Sequence, residues 1–268
     1  MSAEDLGFCQ KTAGGFYDHE RDITDNSWPE EYARAQAMLA EVIGETPLAV
    51  CTGNHDISPY MQGSFPHYEA LDAFFGWQIE HDKKCGCVVG ELNDYHFETN
   101  FAGYPVFVLN ANREHNRTVL GQEQLDWLEQ NLKKTDEKGI WRFIVIHIPM
   151  AGTVEDSTFD ELLDAAPLRK IIHHHRHIIH CSGHSHYTFN ADLHSSAYDR
   201  EHQALYINGG CAVWSNRNLT ARHEYYQQYR GTGQLLEIYE NCLITRGFDG
   251  VSGRYIPRAQ HLFYLEEK

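Results

Sequence analysis

Three groups of polar residues, each directly after a short apolar segment of the chain, could together bind a metal ion. The apolar segments are residues 47–51, 141–146 and 177–181. We predict buried strands over residues 47–51, 141–148 and 177–181. The polar groups that follow are Thr52–Asp56, His147 and Ser182–His186, which supply an asparagine, a lone histidine and a His-Ser-His sequence. Because ligands of open α/β sheets bind at the carboxyl ends of the strands, neighbouring strands would bring these side chains together.

The residue types in these groups indicate which metals would fit. His184 and His186 are separated by one residue, so both rings can reach one region from an extended loop. Gly183 lets the backbone approach that region closely. The amide oxygen of Asn54, imidazole and carboxylate together suit Mn²⁺, Fe or Zn²⁺ better than Ca²⁺ or Cu(I).

The order of these groups resembles the motif pattern of the calcineurin-like metallophosphoesterase family. Gly53–Asp56 matches the family's Gly-Asn-His-Asp/Glu block, and Gly183–His186 matches its Gly-His-x-His block. His147 matches the lone histidine that follows a strand. Asp22–Asp25 resembles the Gly-Asp-x-x-Asp block, although Arg21 stands where the family has its glycine.

One further segment narrows the resemblance to a branch of the family. Leu120–Leu128 resembles the helix before the lone histidine in the cyclic-nucleotide and glycerophosphodiester phosphodiesterase branch. The resemblance spans residue 22 to the 240s, and it implies an α/β fold, a four-layer αββα sandwich of two mixed sheets flanked by helices. It also implies hydrolysis of a phosphodiester or phosphomonoester by metal-activated hydroxide, with a small-molecule phosphate ester as substrate.

The resemblance implies a metal-binding role for five residues of this chain. Asp22 would bridge two divalent metal ions, which would be Mn, Fe or Zn. Asn54, His147 and His184 would complete the shell of one ion, and His186 would bind the other. Two such ions can hold both the attacking and the leaving oxygen of an in-line displacement at phosphorus.

The same resemblance implies two catalytic residues that do not bind metal. His55 would donate a proton or a hydrogen bond to the leaving-group oxygen. Asp56 would orient the His55 imidazole.

Part of the family's pattern is missing from this chain. Its first block, Asp-x-His, is not found, because the residues before Asp22 contain no strand-like apolar run. We therefore expect one domain over residues 1–268, in which residues 1–21 are an atypical or truncated segment. Three explanations stay open: a truncated or misassigned start, replacement of the lost ligands by Asp18 and His19, and a protein that binds a single metal.

Other hypotheses compete with the hydrolase. One is a non-catalytic or weakly active pseudoenzyme that retains a single metal site. Another is a histidine-rich metal store built on residues 173–177, a segment that could equally be a solvated helix end. Taken singly, Asn54–Asp56 could be a turn, His147 a buried strand-end histidine, and His184 and His186 part of a polar loop.

The composition limits the classes of partner. The 268-residue chain has 22 Lys and Arg against 38 Asp and Glu, a formal net charge of −16, so neither nucleic-acid nor anionic-membrane binding is expected. The sequence lacks a membrane-length apolar run, and its seven cysteines follow no disulfide pattern. We expect no signal peptide, because the first ten residues have neither a basic start nor an apolar stretch. We expect a cytoplasmic protein, and homo-oligomerisation stays open.

Elements between these motifs indicate two sheets. A helix is predicted to begin with the capping sequence Ser27–Glu30 and to end at Gly44. Further helices are predicted at residues 68–75, 122–134 and 160–175, further strands at 105–109 and 204–208, and a hairpin at 235–246. Helices alternate with strands over the first 180 residues and strands dominate the last third, which favours a layered α/β domain.

Overall fold

The computed structural model describes most of the chain. The described ranges are residues 22–57, 65–110, 120–136, 139–154, 157, 162, 165–185, 189, 195–210 and 231–265, together with the backbone alone at 17–19, 112–114 and 117–119.

The described elements are five helices and thirteen strands. The helices are α1 (Pro29–Ile43), α2 (Asn54–Ile57), α3 (Tyr68–Lys84), α4 (Gln122–Lys133) and α5 (Ala165–His174). The strands are β1 (Tyr17–His19), β2 (Leu48–Val50), β3 (Phe97–Phe101), β4 (Tyr104–Val108), β5 (Asn112–Glu114), β6 (Arg117–Val119), β7 (Arg142–Val145), β8 (Ile178–Ser182), β9 (Ser196–Asp199), β10 (Ala204–Asn208), β11 (Thr232–Ile238), β12 (Cys242–Asp249) and β13 (Arg254–Tyr264). Within these ranges, none of the helices has the length and apolar character needed to cross a membrane.

A six-stranded mixed sheet lies at the centre of the fold, in the order β3-β4-β7-β8-β10-β9. Its four inner strands run parallel, and its two edge strands run antiparallel to their neighbours. Three antiparallel strands form a second sheet, β11-β12-β13, which includes the predicted hairpin. Two smaller pairs complete the topology: β1 with β2 in parallel, and β5 with β6 as a hairpin.

Both faces of the six-stranded sheet are buried, because alternate residues of its inner strands point to opposite sides. In β4, Val106 and Val108 join one core and Phe107 joins the other. The first core also contains residues of α1, α3, β2 and the three-stranded sheet, whereas the second contains the apolar stripes of α4 and α5. The order of layers is therefore helices, sheet, sheet, helices, which confirms the predicted αββα architecture.

Helix α3 fixes the position of β2, the strand that leads into Thr52–Asp56. The carboxylate of Asp82 accepts the backbone N–H of Leu48 at 2.8 Å, and the side-chain amide of Gln78 donates to the carbonyl of Leu48 at 3.0 Å. Both polar side chains are fully buried. Because each of them has its partner in this strand, a shift of β2 along α3 would leave buried polar groups unsatisfied.

A strand does precede Asp22, although the sequence analysis found no apolar run there. In β1, Tyr17 lies opposite Leu48 and His19 lies opposite Val50, in a parallel pair with β2. A strand of three residues is held by backbone hydrogen bonds to its neighbour, and these carry no side-chain signature. The prediction of a missing strand was wrong for this reason.

The predicted start of α1 was also displaced by one residue. Glu31, and not Glu30, accepts the backbone N–H groups of Trp28 and Asn26, at 3.1 and 3.0 Å. Ser27 has a positive φ of 58°, and its hydroxyl accepts the backbone N–H of His67 at 3.0 Å. The serine ties the start of α3 to the loop that carries Asp22 instead of capping α1.

We predict that Asp82 makes the stability of the fold depend on pH. Burial raises the pKa of Asp82 to about 6. A carboxyl group whose pKa is raised in the folded state stabilises the fold below its ordinary pKa, near 4, and loses that contribution as the pH rises through 6. Relative to Asp82→Asn, the wild-type protein should lose about 2 kcal/mol of unfolding free energy between pH 4 and pH 7.

Urea unfolding of both proteins at a series of pH values measures this difference. The glutamine variant of an exposed acid on the same helix, Glu69→Gln, serves as the control and should follow the wild-type curve. Parallel pH curves for wild type and Asp82→Asn would refute the assignment.

Candidate metal centre

Side chains from three separate loops meet at the ring of His147. Its Nε2 atom lies 3.1 Å from Oδ1 of Asn54 and 3.1 Å from Nδ1 of His184. The same atom lies 3.6 Å from Oδ2 of Asp22. Four of the five predicted metal ligands are thus brought together from positions up to 162 residues apart in the chain.

The chemistry of these four atoms suits a cation. A ring nitrogen can donate one proton to one acceptor, yet three lone-pair atoms surround Nε2 of His147. Ligand atoms bound at about 2.1 Å to one Zn²⁺-sized ion lie roughly 3.0–3.5 Å apart. The three measured separations of 3.1, 3.1 and 3.6 Å agree with that spacing. Amide oxygen, imidazole and carboxylate are the donors that Mn²⁺, Fe and Zn²⁺ accept.

Neighbouring parallel strands deliver the two histidines. His147 follows β7 and His184 follows β8, and the carbonyl of His147 accepts the N–H of Gly183 at 2.9 Å. His184 has a positive φ of 61°, which turns its side chain out of the direction of the strand. The next residue, Ser185, accepts a hydrogen bond of 2.7 Å from the amide of Asn208, at the end of β10.

The loop that carries Asn54 holds Asp22 in place, because its backbone at Gly53 and His55 lies close to the backbone and carboxylate of Asp22. Oδ1 of Asp22 accepts the backbone N–H of His55 at 2.6 Å. A Cβ atom added to Gly53 would lie 2.1 Å from that oxygen and 2.7 Å from Cα of Asp22. Glycine at position 53 therefore provides the space in which the carboxylate of Asp22 sits.

Asp56 joins the Asp22 loop to the Asn54 loop. Its carboxylate is fully buried. Oδ2 accepts the backbone N–H groups of Ile23 and Gly53, both at 2.9 Å. Oδ1 accepts the N–H and the hydroxyl of Thr24, at 3.0 and 2.8 Å, and the hydroxyl of Tyr32 at 3.3 Å.

The ionisation of Asp56 is coupled to the charge at the metal centre. Burial, and then the nearby negative charge of Asp22, raise the pKa of Asp56 to about 7. A cation bound by Asp22 would cancel that repulsion and favour the ionised carboxylate. The ionised form is the one that can accept all five hydrogen bonds, so cation binding and loop geometry would support each other.

The imidazole of His55 has a different partner from the one predicted. Its Nδ1 atom lies 3.0 Å from the carbonyl oxygen of Asp25 and 3.1 Å from the carboxylate of the same residue. Asp56 was expected to orient this ring, but its carboxylate is committed to the two loops. A ring nitrogen that faces two oxygen acceptors donates its proton to them, so Asp25 fixes the direction of the ring.

Sequence analysis missed several residues that support the centre. Asp25 carried a signal, because it is the second aspartate of the Asp22–Asp25 block. Thr52 donates through its hydroxyl to the side-chain oxygen of Asn110, whose backbone N–H donates to Gln124 of α4 at 2.7 Å. Asn208 stands at a strand end, as His147 does, but a lone asparagine there carries no spacing signal.

Some predicted residues lie outside the described part of the chain. His186 is one of them, and of Asp18 and His19 only the backbone is described. Their predicted roles as metal ligands therefore stay predictions.

The histidine-rich segment at residues 173–177 is not a uniformly solvated helix end. His175 is 1% exposed, and its Nδ1 lies 2.8 Å from the carboxylate of Asp136, which also pairs with Arg142. His177 packs edge-to-face against Trp141. Of the four histidines in this segment, only His174 is exposed, and the others form separate contacts.

Comparison with known proteins identifies the family. The model of the calcineurin-like phosphoesterase family matches residues 13–188, which is more than half of the chain. This protein therefore belongs to the calcineurin-like phosphoesterase family. Among solved structures, the chain is similar to a dimetal phosphatase from Danio rerio, with 10% sequence identity and a TM-score of 0.49, over 94% of this chain and 98% of that one. No curated protein matches the sequence.

We predict that Gly53→Ala displaces Asp22 and weakens the metal centre. The added methyl group would collide with the Asp22 backbone as well as with its carboxylate. We expect the free energy of unfolding to fall by about 1–3 kcal/mol, as for other overpacked sites. The amount of divalent metal bound per chain, measured by inductively coupled plasma mass spectrometry, should fall as well.

A second glycine provides the matched control. Gly76 lies within α3, and a Cβ atom added there meets nothing within 4 Å. Gly76→Ala should leave metal content unchanged and raise the free energy of unfolding by up to about 1 kcal/mol. Equal metal content in wild type and Gly53→Ala would contradict the proposed role of this glycine.

Proposed function

We propose that this protein is a metal-dependent phosphoesterase that hydrolyses a phosphodiester or phosphomonoester of a small molecule. The observation that carries the proposal is the convergence of Asp22, Asn54 and His184 on Nε2 of His147. Membership of a phosphoesterase family supports it independently. The acidic net charge of −16 also favours a bound cation at any site that must accept an anionic substrate.

Asp22, Asn54, His147 and His184 would hold the first divalent ion, which we propose to be Mn, Fe or Zn. His186 would contribute to a second ion that shares Asp22. When bound, such ions activate water for attack on phosphorus and neutralise charge on the phosphate oxygens.

The protein itself would contribute a proton donor. Asp25 holds the Nδ1 side of His55, so the ring is fixed in direction and its Nε2 can carry a proton towards the leaving-group oxygen. The side chain of His55 is 25% exposed, so substrate can reach it. Asp56 would act as a positioning residue, since it holds the loops of Asp22 and Asn54 together.

A second candidate is a non-catalytic protein that binds a single metal ion. One observation favours it: Oδ1 of Asp22 accepts a short hydrogen bond of 2.6 Å from the N–H of His55. That hydrogen bond occupies one lone pair of Oδ1, which reduces the number of lone pairs that Asp22 can offer to a second ion.

Further parts of the proposal concern the whole chain. We propose that it forms one domain, because β2 near its start and β12 near its end contribute to the same core. A cytoplasmic location is proposed from the composition alone.

The test of the proposed function separates metal binding from turnover. Purified protein is loaded with Mn²⁺ or Zn²⁺ and assayed with p-nitrophenyl phosphate and with bis(p-nitrophenyl) phosphate. His184→Ala should lose metal and activity together. His55→Ala should keep its metal and lose roughly 10²–10⁴-fold in kcat, the usual contribution of a general acid.

A distant histidine serves as the control. His174→Gln lies on α5 and should behave as wild type in both assays. Turnover by the wild-type protein that is lost in His184→Ala would support the hydrolase. Metal that is lost in His184→Ala, with no turnover above the His55→Ala background, would support the non-catalytic candidate and overturn the hydrolase.

A further inference from the structure

A second group of metal-ligating side chains lies apart from the centre at His147. His173 near the end of α5, Asp199 at the end of β9 and His202 in the following turn place one ligand atom each within 4.8 Å of one another. Oδ2 of Asp199 lies 2.8 Å from Nδ1 of His202 and 3.6 Å from Nε2 of His173. The carboxylate also accepts the backbone N–H of His202 at 3.1 Å, which fixes the turn.

The topology puts this group at the end of the six-stranded sheet where β8 and β10 begin. His147 lies at the opposite end of the strands. Helix α5 leads into the start of β8, and the turn that contains His202 leads into the start of β10. His184, by contrast, follows the end of β8. The five residues of β8 span about 16 Å at the usual rise of a strand, so the two groups cannot share an ion.

One atom of the group has no hydrogen-bonding partner. Nε2 of His173 is buried and makes no hydrogen bond to any described residue, although it faces the Asp199 carboxylate. A buried polar atom without a partner is costly, so its presence beside a carboxylate needs an explanation. A cation between the ring and the carboxylate would provide one.

From these contacts we infer that His173, Asp199 and His202 form a second, peripheral site for a divalent transition-metal ion such as Zn²⁺, Co²⁺ or Ni²⁺. Two imidazoles and a carboxylate are a common donor set for these ions, and water would complete the shell. The three side chains are each 27–28% exposed, so the group lies near the surface of the protein.

Charge and protonation agree with this assignment. Burial, and then the neighbouring His202 ring, lower the pKa of His173, which keeps the ring in its neutral, metal-binding form. Arg169 also opposes a positive charge on His173, whereas Glu201 and Asp199 favour one. The guanidinium of Arg169 is directed to the carbonyl oxygen of Ala151.

The distances require only a small rearrangement on binding. Ligands of one tetrahedral Zn²⁺ lie about 3.4 Å apart, close to the 3.6 Å between His173 and Asp199. The 2.8 Å hydrogen bond of His202 to Asp199 would have to open. The two imidazole rings, now stacked with centroids 3.6 Å apart, would tilt so that both point a nitrogen at the ion.

The inference is tested by metal titration of the full-length protein after removal of bound metal with a chelator. Zn²⁺ content and the visible absorption of Co²⁺ are compared in wild type, His173→Gln and His202→Gln. Both variants should lose one equivalent and the corresponding Co²⁺ bands, with affinity at this site at least roughly 10-fold weaker. Added Zn²⁺ should raise the melting temperature of wild type more than that of either variant.

Two controls make the outcome specific. His174→Gln changes the exposed neighbour of His173 and should keep the full metal content, and His184→Ala should keep the Co²⁺ bands that His202→Gln loses. Unchanged metal content and Co²⁺ spectrum in both His173→Gln and His202→Gln would overturn the inference and leave the proposed hydrolase intact. If the wild-type protein shows the peripheral Co²⁺ bands but does not hydrolyse either phosphate ester, the proposed hydrolase alone would be overturned.

Discussion

The buried carboxylate of Asp56 is the contact on which the geometry of the metal centre depends. It accepts hydrogen bonds from two loops, one carrying Asp22 and the other carrying Asn54. Burying a charge is costly unless its hydrogen-bonding capacity is met, and here five donors meet it. The negative charge of Asp22 nearby adds to the cost, so the arrangement is best stabilised when a cation lies beside that residue.

Candidate metal sites lie at both ends of the strands of the six-stranded sheet. At the carboxyl edge, β7 and β8 end beside each other and bring His147 and His184 within 3.1 Å. At the other edge, the end of α5 meets the turn between β9 and β10. Parallel pairing of β7, β8 and β10 places their carboxyl ends at one end of the sheet and their starts at the other. Antiparallel pairing of β9 with β10 brings the end of β9, with Asp199, to the starts of β8 and β10. The same sheet can therefore hold a candidate catalytic centre and a separate peripheral metal site.

The histidine count of 18 is high, and the described histidines fall into distinct classes. His147 and His184 face other donor atoms at the centre, whereas His175 pairs with Asp136 in a buried position. His180 is fully buried within β8, where burial lowers its pKa to about 4 and keeps the ring neutral. The number of histidines does not decide which of them can bind metal, because their partners in space determine which rings are available.

The sequence by itself determined the family, the layered fold and four of the residues that meet at the centre, because motifs at strand ends report which side chains a sheet edge must carry. It could not determine that Asp25, and not Asp56, holds the His55 ring, since both acids stand at similar positions in their motifs. Nor could it pair His173 with Asp199, because residues on α5 and on the β9–β10 turn become neighbours only through the order of strands in the sheet. Local patterns encode elements and their ends, whereas contacts between distant loops are decided by packing and by the need to satisfy buried polar groups.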